Sequence, residues 1–254
     1  MRIIILSALP QEYAPLKKLF PAFRAVSKRP CRKFALNLPG KDIRLIETGM
    51  GDKAVKEAFD SEPGADLLLF SGFAGGLHPD LPTGSVCFAA SARRIETGAS
   101  YAFRFSEELS DFLARHGVQP VLALSADGPG DKRALSALAD GAPAVLDMET
   151  ATAAEEALLR HIPFLCFRAV SDAIDHDLGF CLEDICDDQW RVKPLRVLGT
   201  ILKKPSTLPA FYRLWRNSSL AAKKLCAPVA AFLNLPAAQL ERMAAGIGIE
   251  IERE

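Results

Sequence analysis

What the sequence lacks narrows the field first. It carries no net charge: Lys and Arg total 31, as do Asp and Glu, in 254 residues. That balance offers no overall pull toward nucleic acid or an anionic membrane. No apolar run approaches a bilayer span. The opening Met-Arg-Ile-Ile-Ile-Leu-Ser reads as a strand, too short for a signal-peptide core, so a cytoplasmic protein is expected. There is no G-x-G-x-x-G fingerprint and no glycine-rich turn ending in Lys-Ser/Thr, which argues against a dinucleotide fold and a P-loop. The six cysteines, at 31, 87, 166, 181, 186 and 226, are scattered. Cys181 and Cys186 are the closest pair but have no histidine partner, so buried thiols are expected rather than a metal site. No repeat, low-complexity run or linker divides the chain. What is present is 49% hydrophobic and 24% charged residues, enough for a sizeable core in one α/β domain.

The most informative stretch is 144–175. A short apolar run, Ala144-Val145-Leu146, stops at Asp147-Met148-Glu149. An alanine-rich segment follows with Ala153, Ala157 and Leu158 at helical spacing. Pro163 ends that helix, and 164–170 is apolar enough for a buried parallel strand running out into Ser171-Asp172. The spacing predicts a strand–helix–strand unit with a carboxylate just past each strand. Reactive groups in open α/β sheets collect outside the carboxyl ends of strands, which places Glu149 and Asp172 in one crevice. Taken alone, Glu149 is equally a dipole-favoured residue at a helix start, and Asp172 an N-cap.

Other strand ends share this texture. A strand over 3–8 leads to Pro10, a good helix start, with Glu12 in the first turn. A hairpin joins 34–38 to 43–48 around Pro39-Gly40, and Gly49-Met50-Gly51 leads into a helix over 53–59. A buried strand at 67–70 opens into Ser71-Gly72-Phe73-Ala74-Gly75-Gly76, whose glycines let the backbone approach a ligand closely. Further strands are predicted over 85–90 and 118–125. The segment 101–113 reads as helical at its end, and another helix is predicted near 132–138, after the loop Asp127-Gly128-Pro129-Gly130-Asp131. Beyond Asp175, helices are predicted over 195–202 and 208–225. The second is amphipathic and basic through Arg213, Arg216, Lys223 and Lys224, which suits a solvated helix face or, less simply, a membrane surface.

Four pieces in this order resemble the purine nucleoside phosphorylase/nucleosidase superfamily, particularly methylthioadenosine/S-adenosylhomocysteine nucleosidase. They are residues 3–12, Gly49-Met50-Gly51, Ser71 to Gly76, and Met148-Glu149 followed by Arg168-Ala169-Val170-Ser171-Asp172. The resemblance spans roughly 1–177. It implies an α/β three-layer sandwich with a mixed, twisted sheet flanked by helices, one domain over 1–254, with 178–254 a divergent helical extension. It also implies a homodimer or higher oligomer, and cleavage of a nucleoside's N-glycosidic bond without metal or organic cofactor. Nucleic acid and membrane are not expected partners.

The resemblance assigns roles residue by residue. The bond breaks through an oxocarbenium-like state, so a carboxylic acid that protonates the leaving base speeds it by about 10²–10⁴-fold. Asp172 matches that acid, and a carboxyl in this role must be partly buried to hold a proton near neutral pH. Glu149 matches the acceptor of the ribose hydroxyls, Met148 the apolar floor under the sugar, and Glu12 the base for attacking water. Gly49, Gly51, Gly72, Phe73, Ala74, Gly75 and Ser171 match nucleoside-binding loops. Arg168 matches a site-shaping position.

Phosphorylases of the superfamily have a Gly-Asp-x-x-Arg-like segment after the first strand and an arginine two residues before the Gly72 position. Here Pro10-Gln11-Glu12-Tyr13 and Phe70 stand there. Water is therefore favoured, while Arg93, Arg94 or Lys53 leave a phosphate site open. Phe73 replaces a small hydroxyl residue next to the acid, and the 127–130 loop lacks the aromatic that stacks on adenine. That loop, Leu146 to Glu149, and the tail from Leu202 to Ser218 are more similar to the branch associated with hopanoid biosynthesis. In that branch Phe211, Leu214 and Trp215 would line a route for a long apolar 5′ substituent. A nucleoside binder without catalysis, or a lipid-interacting protein working through 195–226, are the competing classes.

Overall fold

The computed structural model describes residues 1–62, 64–128, 130–175, 196, 199, 200 and 203–252. The first half contains β1 (Arg2–Ser7), α1 (Pro10–Leu19), β2 (Arg24–Ser27), β3 (Arg32–Leu38), β4 (Lys41–Glu47), α2 (Asp52–Asp60) and β5 (Leu67–Gly76). Then come β6 (Val86–Arg94), β7 (Ser100–Arg104), α3 (Glu107–Arg115), β8 (Gln119–Ser125), α4 (Lys132–Ser136), β9 (Ala144–Asp147), α5 (Thr150–Leu159) and β10 (Phe164–Asp172). The tail supplies α6 (Leu208–Asn234), α7 (Ala237–Ala245) and β11 (Gly248–Glu252). The predicted helix over 195–202 falls largely outside the described residues, as do Cys181 and Cys186. The other four cysteines are buried. Among the described residues no helix is long and apolar enough to cross a membrane.

Both faces of the central strands are covered. Ile3 and Ile5 of β1 enter one core cluster, and Ile4 and Leu6 the other. Leu67 and Leu69 oppose Leu68 and Phe70 on β5 in the same way, as Leu165 and Phe167 oppose Phe164 and Cys166 on β10. A strand buried on both sides reads as a continuous apolar run, which is how these three read in sequence. Small alanines of α5 cover one face, and Ala221, Leu225, Val229 and Phe232 of α6 cover the other.

Among the described residues all eleven strands belong to one mixed sheet, and it closes on itself. β5 pairs with β10, β10 with β6, β6 with β8, β8 with β9, and β9 again with β5. The strand–helix–strand unit of 144–175 is therefore not a parallel crossover. β10 is a buried strand parallel to β5, but β9 is antiparallel to β5 and lies on its opposite edge. That edge pairs with β1 only up to Phe70 and with β9 only from Gly75. The chain following β1 and the chain following β9 both enter the gap left at 71–74.

Two expectations change. Residues 100–104 are strand, and the helix starts only at Glu107, where Ser106 caps it. The C-terminal extension is not wholly helical, since β11 returns to pair with β7. Nor is it peripheral: α6 packs on α1 and β10, and Lys41 Nζ donates to the Leu233 and Leu235 carbonyls, each at 2.6 Å, at its end. The first turns of α6 differ, with Tyr212 and Trp215 61% and 65% exposed. Trp215 thus faces solvent rather than lining an enclosed route.

Candidate active site

Glu12 enters the gap from β1. Pro10 starts α1, and Glu12 Oε2 turns back to accept from the Leu9 N–H at 2.9 Å. Ser7 Oγ donates to the same oxygen at 3.0 Å, and the unpaired stretch of β5 supplies the Phe73 N–H to Oε1 at 2.8 Å. The helix-start reading and the site reading are served by one set of bonds. Burial pushes the Glu12 carboxyl above its ordinary 4.5, opposed by the bonds from Leu9 and Phe73 and by the Arg168 charge.

Glu149 enters from β9. Asp147 Oδ1 accepts from the N–H groups of Glu149 and Thr150 at 3.2 and 3.1 Å and from Ser125 Oγ at 2.7 Å, so Asp147 satisfies the start of α5. The Glu149 side chain instead reaches the Gly51 N–H at 2.9 Å. Gly51 holds a φ of +87°, a left-handed conformation that strains residues with a Cβ. Burial pushes Glu149 up to about 7, with Arg168 opposing and Asp147 adding to the rise.

Arg168 joins the two. It lies opposite Gly72 in register and is fully buried. A Cβ on Gly72 would run into Arg168 Nη1 and lie 3.0 Å from Glu12 Oε1, so the guanidinium passes β5 only because that residue is glycine. Nη2 pairs with Asp147 Oδ2 at 2.8 Å and lies 3.8 Å from Glu149 Oε2. Nε and Nη2 donate to Thr150 Oγ1 at 3.1 and 2.8 Å, and the group sits over the Phe70 ring, 4.2 Å from its centroid. Burial works against the Arg168 charge, yet the neighbouring carboxyls hold its pKa above the usual value. Nη1 has no hydrogen-bond partner among the described residues.

Asp172 stands farther along β5, opposite Gly75 in register. Gly72 and Gly75 are three residues apart, about 10 Å at strand rise. Its Oδ1 accepts from Ser171 Oγ at 2.7 Å, and its Oδ2 forms an ion pair with Lys132 Nζ. The expected partly buried carboxyl is present, its side chain 18% exposed, but it is paired rather than isolated. Met148, between Asp147 and Glu149 in sequence, is half-buried, and Ala74 offers its carbonyl to Ser171 Oγ at 3.5 Å. Gly49 is tied back to the Ala8 carbonyl at 3.2 Å.

Three features went unread in the sequence. Asp147 stands inside the motif, and spacing alone assigns it no role. Lys132 carried no signal, because only the fold brings α4 to the end of β10. A third is a ring in which Arg94 bonds Asp52 and Thr152, and Thr152 bonds Asp52, tying α2 and α5 beside Gly51. Arg94 is thereby engaged, and Arg93 donates to Ser100 Oγ and the Leu138 carbonyl at 3.2 and 3.3 Å. Lys53 is exposed on α2.

The sequence pattern of the phosphorylase superfamily matches residues 2–203. The chain belongs to that superfamily, and by that membership it is an enzyme. Among solved structures it is similar to 5′-methylthioadenosine/S-adenosylhomocysteine nucleosidase from Helicobacter pylori with butyl-thio-DADMe-Immucillin-A, at 17% identity and a TM-score of 0.65, covering 91% of this chain and 98% of that one. The native futalosine hydrolase of H. pylori superposes with a TM-score of 0.64 at 18% identity, over 91% and 98% of the two chains. The Neisseria meningitidis nucleosidase in complex with methylthio-immucillin-A gives 0.63 at 20% identity, over 91% and 99%. At these identities the likeness establishes the fold.

Proposed function

We propose that this chain cleaves the N-glycosidic bond of a purine nucleoside with water as nucleophile, releasing adenine from a 5′-substituted adenosine. The observation that carries the reading is Arg168 Nη1, a buried donor without an acceptor beside the Glu12 carboxyl. A buried unsatisfied donor is costly, by about 1–3 kcal/mol, and a substrate or water oxygen in the gap relieves it. Glu12, raised by burial, takes the proton of that water. Glu149 accepts from the ribose hydroxyls, Met148 lies under the sugar, and Asp172, about 10 Å along β5, meets the base.

Water is favoured over phosphate on charge. Asp147, Glu149 and Glu12 are three carboxyl groups around the single guanidinium of Arg168. Arg94 and Lys132 are already paired with Asp52 and Asp172. A phosphate there would meet net negative charge. A homo-oligomer, a single domain and a cytoplasmic location accompany this reading. The test is a panel of 5′-methylthioadenosine, S-adenosylhomocysteine, adenosine and inosine, with and without phosphate, read as free base by chromatography. Free adenine with free sugar is expected and is abolished in Asp172→Asn. Sugar 1-phosphate as product overturns water, and binding without base release overturns catalysis.

A further inference from the structure

We propose that Lys132 is a positioning residue for this cleavage: acting through Asp172, it fixes the carboxyl toward the departing base and resupplies the proton that Asp172 hands over. The inference rests on the proposed role of Asp172 at the base and goes beyond it in naming where the proton is stored.

The geometry leaves Lys132 little other work. An ammonium has three donors. Those of Lys132 meet Asp172 Oδ2, the Asp172 carbonyl at 3.2 Å and the Ala173 carbonyl at 2.8 Å. None is left over for a substrate, so the lysine acts on Asp172 and not directly on the nucleoside. The two carbonyl bonds lock Nζ to the end of β10, and lysine and carboxyl are held as one unit. With Ser171 Oγ on Oδ1, both oxygens of Asp172 are oriented. The pair lies against β5 at Gly75, where a Cβ would be in ordinary contact, 3.4 Å from both Asp172 Oδ2 and Lys132 Cε.

The proton balance also favours a lysine. In the ion pair the Lys132 ammonium donates to Asp172 Oδ2, so a proton stands on the far side of the carboxyl from the base and reaches it through Asp172 only as charge develops on the base. As the C1′–N9 bond breaks, its electron pair goes to the base, whose N7 gains basicity. The N7–H bond forms as the Asp172 O–H breaks, and that O–H is supplied as a Lys132 N–H breaks. Water adds to C1′ and gives its proton to Glu12. Lys132, 15% exposed, regains its proton from solvent, and Glu12 gives up the one it took, so the enzyme returns to its starting state with no net proton gained. One water enters, and free base and free sugar leave.

The experiment compares wild type, Lys132→Met and Lys132→Arg on the nucleoside that the panel shows to be cleaved and on its N7-methylated counterpart, whose base departs without needing a proton. Both variants are expected to lose about 100-fold or more in kcat on the ordinary nucleoside while staying within about threefold on the methylated one. Arginine keeps the charge but does not release a proton, so its failure separates proton supply from orientation. Equal losses on both substrates, or variants within about threefold of wild type on the ordinary nucleoside, overturn the role of Lys132 alone. A wild-type protein that releases no base from any nucleoside overturns the proposed function as well. Should Lys132→Met fail to fold, Lys132→Arg carries the same comparison.

Discussion

A single methyl group at Gly72 tests the way the site is assembled. Arg168 reaches Asp147 and Glu149 by crossing β5 at this position, and a Cβ there collides with Nη1 and approaches Glu12 Oε1 to 3.0 Å. The far end of an arginine ordinarily swings aside at little cost. Here it is held by the two bonds it donates to Thr150 Oγ1, by Asp147 Oδ2 and by contact with the Phe70 ring. Glu12 has no more freedom, with donors from Ser7, Leu9 and Phe73. Overpacking of a pinned site costs about 1–3 kcal/mol, and for a chain of this size each kcal/mol lowers the melting temperature by roughly 2–4 °C. Gly72→Ala is therefore expected to melt roughly 2–12 °C lower. It is also expected to lose about 100-fold in kcat/KM, because displacement of a catalytic group by about 1 Å has that effect. Calorimetry and steady-state kinetics read the two quantities. A variant that melts like wild type and turns over within about twofold of it would show that Arg168 has room to move, and the account of Gly72 would fail.

Three other outcomes follow from the same geometry. Glu149 is raised from 4.5 to about 7, chiefly by burial, so the folded chain holds a proton that the unfolded chain releases. Its contribution to stability is full below pH 4.5 and is lost as pH rises through about 7, on the order of 3 kcal/mol, with Glu12 acting in the same direction. Urea unfolding of wild type and Glu149→Gln at pH 5 and pH 8 reads this, and a gap between them that does not change with pH contradicts it. Arg168→Met strands Asp147 and Glu149 without their cation and is expected to cost about 3–5 kcal/mol in chemical denaturation, with Arg168→Lys restoring little because a point charge does not span Thr150, Asp147 and Glu149. Asp52→Asn opens the ring with Arg94 and Thr152 beside Gly51, so KM should rise about fivefold with kcat less affected; an unchanged KM would separate that ring from Glu149.

Much of the fold was legible because burial on both faces leaves a plain mark. β1 and β5 are unbroken apolar runs and β10 is one interrupted only by Arg168, each ending in glycine, serine or acidic residues, and local rules suffice to find them. The turn glycines were equally readable, since Gly51 needs its positive φ whatever surrounds it. Short exposed edge elements such as β2 and β11 left little pattern, and Ser100 to Arg104 was absorbed into the helix that follows it. The choice of Glu12, Glu149 and Asp172 came from resemblance, because a carboxylate in a first helical turn has a local explanation that sequence alone does not displace.

The chain's own sequence determined which residues form strands, where glycine relieves the backbone, and that acidic side chains stand at strand ends, because each depends on near neighbours. Tertiary structure alone decided that β9 meets β5 from the opposite edge and direction, which brings Glu149 back toward Glu12 in the 71–74 gap. It also decided that Arg168 passes over Gly72 and that Lys132 lands on Asp172. Such pairings join residues 40 or more positions apart, and only the closure of the sheet brings them within hydrogen-bonding distance.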